Sequence, residues 1–176
     1  MTKLSLTVFN NIKDINTSKV VQFNDWNEFE VLLCRLAKRK TFKPDKGGPY
    51  HGSAYLISPA RYEKNTTRAN KNVKYWDRWA CIDVDDYEGA VDEIFKSFGD
   101  YYYICYSTAS STKEKPKFRL VFPLTRRVKS DELSHFWHAL NQEFLGVADA
   151  QTKDHSRMFY IPGTYPDAYN FIFKRS

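Results

Sequence analysis

The run WACIDVDD, Trp79 to Asp86, sets the tightest constraint on what this chain can fold into. Its apolar and β-favouring residues read as a buried strand, yet it ends in Asp83, Asp85 and Asp86. Side chains alternate along a strand, so Asp83 and Asp85 share a face, with carboxylates roughly 7 Å apart. Like charges at that spacing repel, and a divalent cation between them is the simplest remedy. Capping of a following helix by Asp85 or Asp86 is the alternative that involves no chemistry. A repelling pair of ligands costs stability, so either aspartate is expected to be replaceable by Asn without loss of the fold.

The elements after Trp79 follow a definite order. A strand through Asp85 leads to a helix capped by Asp86, with Val91, Ile94, Phe95 and Phe98 at helical spacing before Gly99. YYYICYS predicts a second strand, the polar loop TASSTKEKPK follows, and FRLVFPL predicts a third. Ser130 then caps a helix striped by Leu133, Phe136, Trp137, Leu140 and Phe144, and RMFYIPG is the fourth strand. This βαββαβ order predicts an α+β fold with an RRM-like (ferredoxin-like) sheet, its first strand internal and its fourth antiparallel beside the first. Residues 76–176 would form that palm. Residues 1–75 would form an N-terminal αβ module, with strands at Leu4–Val8, KVVQF and SAYLIS. Between them lies a helix opened by an Asp25/Glu28 capping box, and residues 41–51 read as a Lys-, Gly- and Pro-rich loop. A chain of 176 residues suits one such domain.

The formal net charge is +6, concentrated in runs such as CRLAKRKTFKPDKGG and KEKPKFRLVFPLTRRVK, which favours a polyanionic partner. No apolar stretch approaches the ~20 residues that cross a bilayer, and the first residues lack a signal-peptide core. A cytoplasmic location with no membrane partner is the expectation. Three cysteines without a CxxC pair argue against a disulfide framework or a zinc site.

Two further groups of residues could serve a phosphate-bearing ligand. Ser107, Ser110 and Ser111 bring hydroxyls to the loop, while Lys117 and Arg119 leave it on one strand face. A hairpin with solubilising lysines is the plain alternative. Arg157 opens the fourth strand, and His155 follows the acidic segment directly; His135 and His138 read as exposed helix positions. Asp149, placed just before the fourth strand, would supply a third carboxylate at the end of the first, with Asp154 a competing candidate that reads as a turn residue.

Taken in order, CIDVDD, YSTASSTKEKPKFRLVFPL and VADAQTKDHSRMFYIPG resemble the three motifs of the archaeo-eukaryotic primase (AEP) superfamily, especially phage and plasmid primase-polymerase domains. The resemblance covers roughly residues 53–163. It implies a DNA primase or primase-polymerase, a nucleotidyltransferase of mobile-element replication using two Mg²⁺ or Mn²⁺ ions, nucleoside triphosphates and a single-stranded DNA template, with a replicative helicase fused or recruited. Asp83, Asp85 and Asp149 match the metal-binding and catalytic acids; Ser107, Ser110, Ser111, Lys117, Arg119, Arg157 and His155 fall where nucleotide is bound. The second motif departs from its relatives, because STASST contains no histidine and Ser111 stands in its place. A second class of function is therefore carried alongside, a catalytically lapsed module of the same fold that binds single-stranded nucleic acid.

Overall fold

The computed structural model describes residues 3–42, 54–97, 101–143 and 153–175. Its N-terminal part builds β1 (Leu4–Phe9), β2 (Val20–Phe23), α1 (Trp26–Ala37), β3 (Leu56–Ser58), β4 (Ala60–Tyr62) and β5 (Val73–Trp76). The helix start follows the sequence closely. Asp25 accepts from the Glu28 amide at 3.0 Å, and Glu28 reaches back to the amide of Asn24, one residue beyond the cap.

The chain then forms β6 (Trp79–Val84), the short α2 (Ile94–Ser97), β7 (Tyr103–Ser107), β8 (Phe118–Pro123), β9 (Val128–Lys129) and α3 (Leu133–Glu143). It finishes with β10 (Phe159–Tyr160) and β11 (Ile172–Arg175). A 3₁₀ turn over Val91–Glu93 precedes α2, so the helix expected after Asp86 begins late, and Asp86 does not cap it. Likewise α3 opens at Leu133 rather than next to Ser130, whose amide instead donates to Lys74 O.

All strand ladders are antiparallel, in three sheets ordered β10-β3-β1-β2, β11-β7-β8-β6 and β4-β5-β9. Mixed αβ architecture is as expected; the complete ferredoxin-like strand arrangement is not seen among the described residues. β6, β8 and β7 lie side by side, but among the described residues β6 pairs on one side only. The segment expected as the fourth strand becomes β10 and pairs with β3, while β11 extends the sheet beyond β7. Burial explains the departure: Phe159 is fully buried among Leu4, Leu6, Ile57 and Phe29, in the core beneath the other sheet. β10, from after position 75, thus pairs with β3 from before it, and β5 itself spans that position and pairs with β9.

β6 is buried along its whole length because it divides two cores. Ala80, Ile82 and Val84 face one, with Leu120, Phe122, Leu133 and Trp137. Trp79 and Cys81 face the other, with β1, α1 and β10, and the Trp79 indole donates to Ser5 O at 2.9 Å. Asp83 continues this second row where its core stops. Alternation therefore delivers a carboxylate to the rim of a packed sheet-to-sheet interface.

Glu30 of α1 is a buried acid far from that rim. It accepts hydrogen bonds from Tyr102 and from Lys174 of β11. Burial pushes its carboxyl up, but the Lys174 and Tyr102 contacts outweigh this and hold it below its ordinary value of 4.5. A depressed carboxyl contributes stability that is present above the unfolded-state value and lost as pH falls through the folded one. Chemical denaturation across the acid range is thus expected to show wild type losing stability below about pH 4.5, with Glu30→Gln losing less over the same interval.

Candidate functional site

Three acids at the end of β6 meet three bases on the lead-in to β8 and on β8 itself. The ladder places Asp83 directly opposite Arg119, and the Arg119 guanidinium donates to Asp83 Oδ2 at 3.0 Å. Two residues outward, Lys117 Nζ lies 3.3 Å from Asp85 Oδ1, and Lys115 Nζ lies 2.7 Å from Asp86. Solvent access rises along the series. Asp83 and Arg119 side chains are 7% and 11% exposed, those of Asp85 and Lys117 42% and 27%, and the outer pair is largely in water. Lys115 holds the exposed Asp86 carboxyl below the usual carboxylate range.

Arg119 is fixed from several sides. Its Nη1 donates to Tyr160 O at 3.2 Å, and its guanidinium lies 6.0 Å from the centre of the Phe159 ring. Burial pushes the guanidinium down, but Asp83 and its neighbours carry it above its usual range. The pair is nevertheless incompletely satisfied. Asp83 Oδ1 and Arg119 Nε are both buried without a hydrogen-bond partner. Because Asp83 neutralises a buried cation, it is a structural member of the fold, which corrects the expectation that Asp83 is freely replaceable.

These residues line a cleft of about 570 Å³. Asp83, Asp85, Lys117 and Arg119 of the strand pair line it, with the loop residues Thr108, Ala109 and Ser110 and, from later in the chain, Asp154, Ser156, Arg157 and Tyr160. Ile12, Leu56 and Arg68 close it from the N-terminal part of the chain. Arg68 works there as a positioning residue: its Nε and Nη2 donate to Asp14 O and Ile12 O and hold the 10–18 loop against the cleft.

Of the residues singled out from sequence, Asp83, Asp85, Ser110, Lys117, Arg119 and Arg157 come together in this cleft. Asp149 lies outside the described residues, as does most of the loop expected at 41–51. Ser107, Ser111 and His155 have other tasks. Ser107 Oγ exchanges hydrogen bonds with the backbone of Phe171, tying β7 to the approach of β11. Ser111 is buried, accepts from the Lys117 amide at 3.0 Å, and its carbonyl accepts from the Tyr169 amide. It is a staple for the loop, and a histidine in its place would remove the hydroxyl that fastens the Lys117 amide. His155 turns towards α3, its Nε2 3.0 Å from Ser134 Oγ, while its carbonyl accepts from the Trp76 indole.

Asp154, Arg68 and Tyr160 are cleft residues that sequence reasoning set aside or missed. Asp154 is a turn residue as well, since its carbonyl accepts from the Arg157 amide. The basic run at 126–127 is engaged elsewhere: Arg126 forks onto Glu132, and Arg127 donates to the buried Asp77 at 2.8 Å.

The donor set suits a hard divalent cation. It offers carboxylate oxygens, one of them buried and unpartnered, beside a second carboxylate half open to water. Among the described residues no three His, Cys, Asp or Glu side chains converge on a metal position.

A family model described as the VapE N-terminal domain matches residues 61–176. Among solved structures, the AEP domain of the primase-polymerase of cyanophage S-2L is similar, with a TM-score of 0.49 and 8% identity over 98% of this chain and 80% of that one. No curated protein matches the chain.

Proposed function

The chain belongs to the VapE N-terminal domain family, whose match takes in every cleft residue except Ile12 and Leu56, and from that premise we propose that the cleft binds a divalent metal and a nucleoside triphosphate. The activity would be that of a primase-like nucleotidyltransferase working on a single-stranded DNA template. Asp83 Oδ1 carries the reading. A buried carboxylate oxygen without a donor is costly, and a hard cation at a cleft lined with phosphate-binding side chains would relieve it.

Asp83 and Asp85 would hold Mg²⁺ or Mn²⁺, with Asp149 expected as the third ligand from the resemblance of its segment to primase motifs. The metal supplies activation of a 3′ hydroxyl and charge relief for departing pyrophosphate. The chain's own side chains bind and orient. Arg119, locked to Asp83 and Tyr160 O, holds the first carboxylate in place at the cleft. Lys117 and Arg157 both present positive charge to the cleft, suited to the non-bridging oxygens of a triphosphate.

The test is incubation with single-stranded DNA, labelled triphosphates and Mg²⁺ or Mn²⁺, with extended product expected. A second reading, a lapsed enzyme that only grips nucleic acid, draws on the basic partner that each of Asp83, Asp85 and Asp86 already has. Salt-sensitive binding of single-stranded DNA without triphosphate uptake or product would favour it.

A further inference from the structure

The graded burial of the three ion pairs separates a permanent cation from an exchangeable one. Arg119 is walled in by Asp83, Tyr160 O and the Phe159 ring, and it cannot leave without stranding a buried carboxylate. Lys117 differs in every respect. Its partner Asp85 is half exposed, the contact is a single ammonium at 3.3 Å, and a pair of this kind contributes little net stability. Its backbone, by contrast, is clamped. The amide donates to Ser111 Oγ and the carbonyl accepts from the Thr108 amide at 2.9 Å, so only the four-carbon stem is free to swing. That stem lines the cleft together with the Thr108–Ser110 loop and Arg157.

We infer that Lys117 is an exchange residue, which neutralises Asp85 in the free protein and passes to the triphosphate when a divalent cation takes its place. The inference rests on the proposed function. A divalent cation bound at the Asp85 carboxylate repels an ammonium held 3.3 Å from the same group and weakens its hold. Cation binding therefore releases Lys117 close to where phosphate would lie, and phosphate binding in turn frees Asp85 for the cation. Each ligand strengthens the binding of the other, and the coupling is reciprocal by linkage. Lys115 and Asp86, further out and more exposed, do not line the cleft and take no part in the exchange.

The experiment measures Mn²⁺ affinity by electron paramagnetic resonance, with and without an α,β-methylene triphosphate analogue, for wild type, Lys117→Met and Lys117→Arg. Lys117→Met should bind Mn²⁺ alone more tightly than wild type by roughly threefold or more. It should gain less from the analogue, by roughly fivefold. Direct chelation of Mn²⁺ by the analogue is common to all three proteins, so the differences between them isolate the side chain. Lys117→Arg, which keeps the charge, should behave like wild type. Circular dichroism on each variant confirms that the fold is shared. Wild type that binds both ligands while Lys117→Met shows the same Mn²⁺ affinity and the same gain overturns the exchange alone. Wild type that binds neither overturns the proposed function together with it.

Discussion

Arg119→Met is expected to destabilise the protein by about 3–5 kcal/mol, the cost of leaving a buried carboxylate without its cation. The partner, Asp83, is 7% exposed and already has one oxygen without a donor, so nothing in the fold takes over from the guanidinium. Urea denaturation of wild type, Arg119→Met, Asp83→Asn and the double variant forms a complete cycle. The double variant should recover much of the loss, because a neutral amide beside a thioether strands no charge. Single variants within about 0.5 kcal/mol of wild type would mean that water reaches the pair.

The second large effect is on activity and separates function from folding. Asp85→Asn should lower metal-dependent synthesis by about a thousandfold or more, since a carboxylate that holds the metal acts directly on the charge of the transition state. Asp85 is half exposed and its contact with Lys117 is weak, so its Asn variant should unfold within about 0.5 kcal/mol of wild type. Asp83→Asn cannot make that distinction, because it injures the fold as well as the site. Product formation at the wild-type rate by Asp85→Asn, with Mg²⁺ or Mn²⁺ present, would remove Asp85 from the catalytic machinery.

Local chemistry was legible in the sequence wherever a short-range rule decided it. The α1 cap needs only Asp25, Asn24 and Glu28, and the burial of β6 shows directly in its uninterrupted apolar run. The meeting of Asp83, Asp85, Lys117 and Arg119 was also within reach, because strand alternation puts each pair on one face. The destination of β10 was not. Two residues, Phe159 and Tyr160, fit a pleat in either sheet, and the choice fell to a core assembled from Leu4, Leu6 and Ile57, about a hundred residues or more away in sequence. The serines misled for a related reason. A hydroxyl that staples a loop and one that holds a phosphate look alike in sequence, and only burial separates Ser107 and Ser111 from Ser110.

The double fastening of Ser111, to the Lys117 amide and to the Tyr169 amide, also bears on how quickly and how tightly the cleft can take its ligand. A loop that rearranged on encounter would lose backbone entropy at each ordered residue, roughly 1–2 kcal/mol apiece, and that loss would be subtracted from the affinity. Here the backbone of the 108–117 loop beside the cleft is ordered in advance by the Ser111 hydroxyl, and at Lys117 only the side-chain stem remains to be immobilised. Association should then be limited by diffusion and electrostatic attraction rather than by conformational search, with on-rates that fall as salt rises and as a small viscogen raises solvent viscosity.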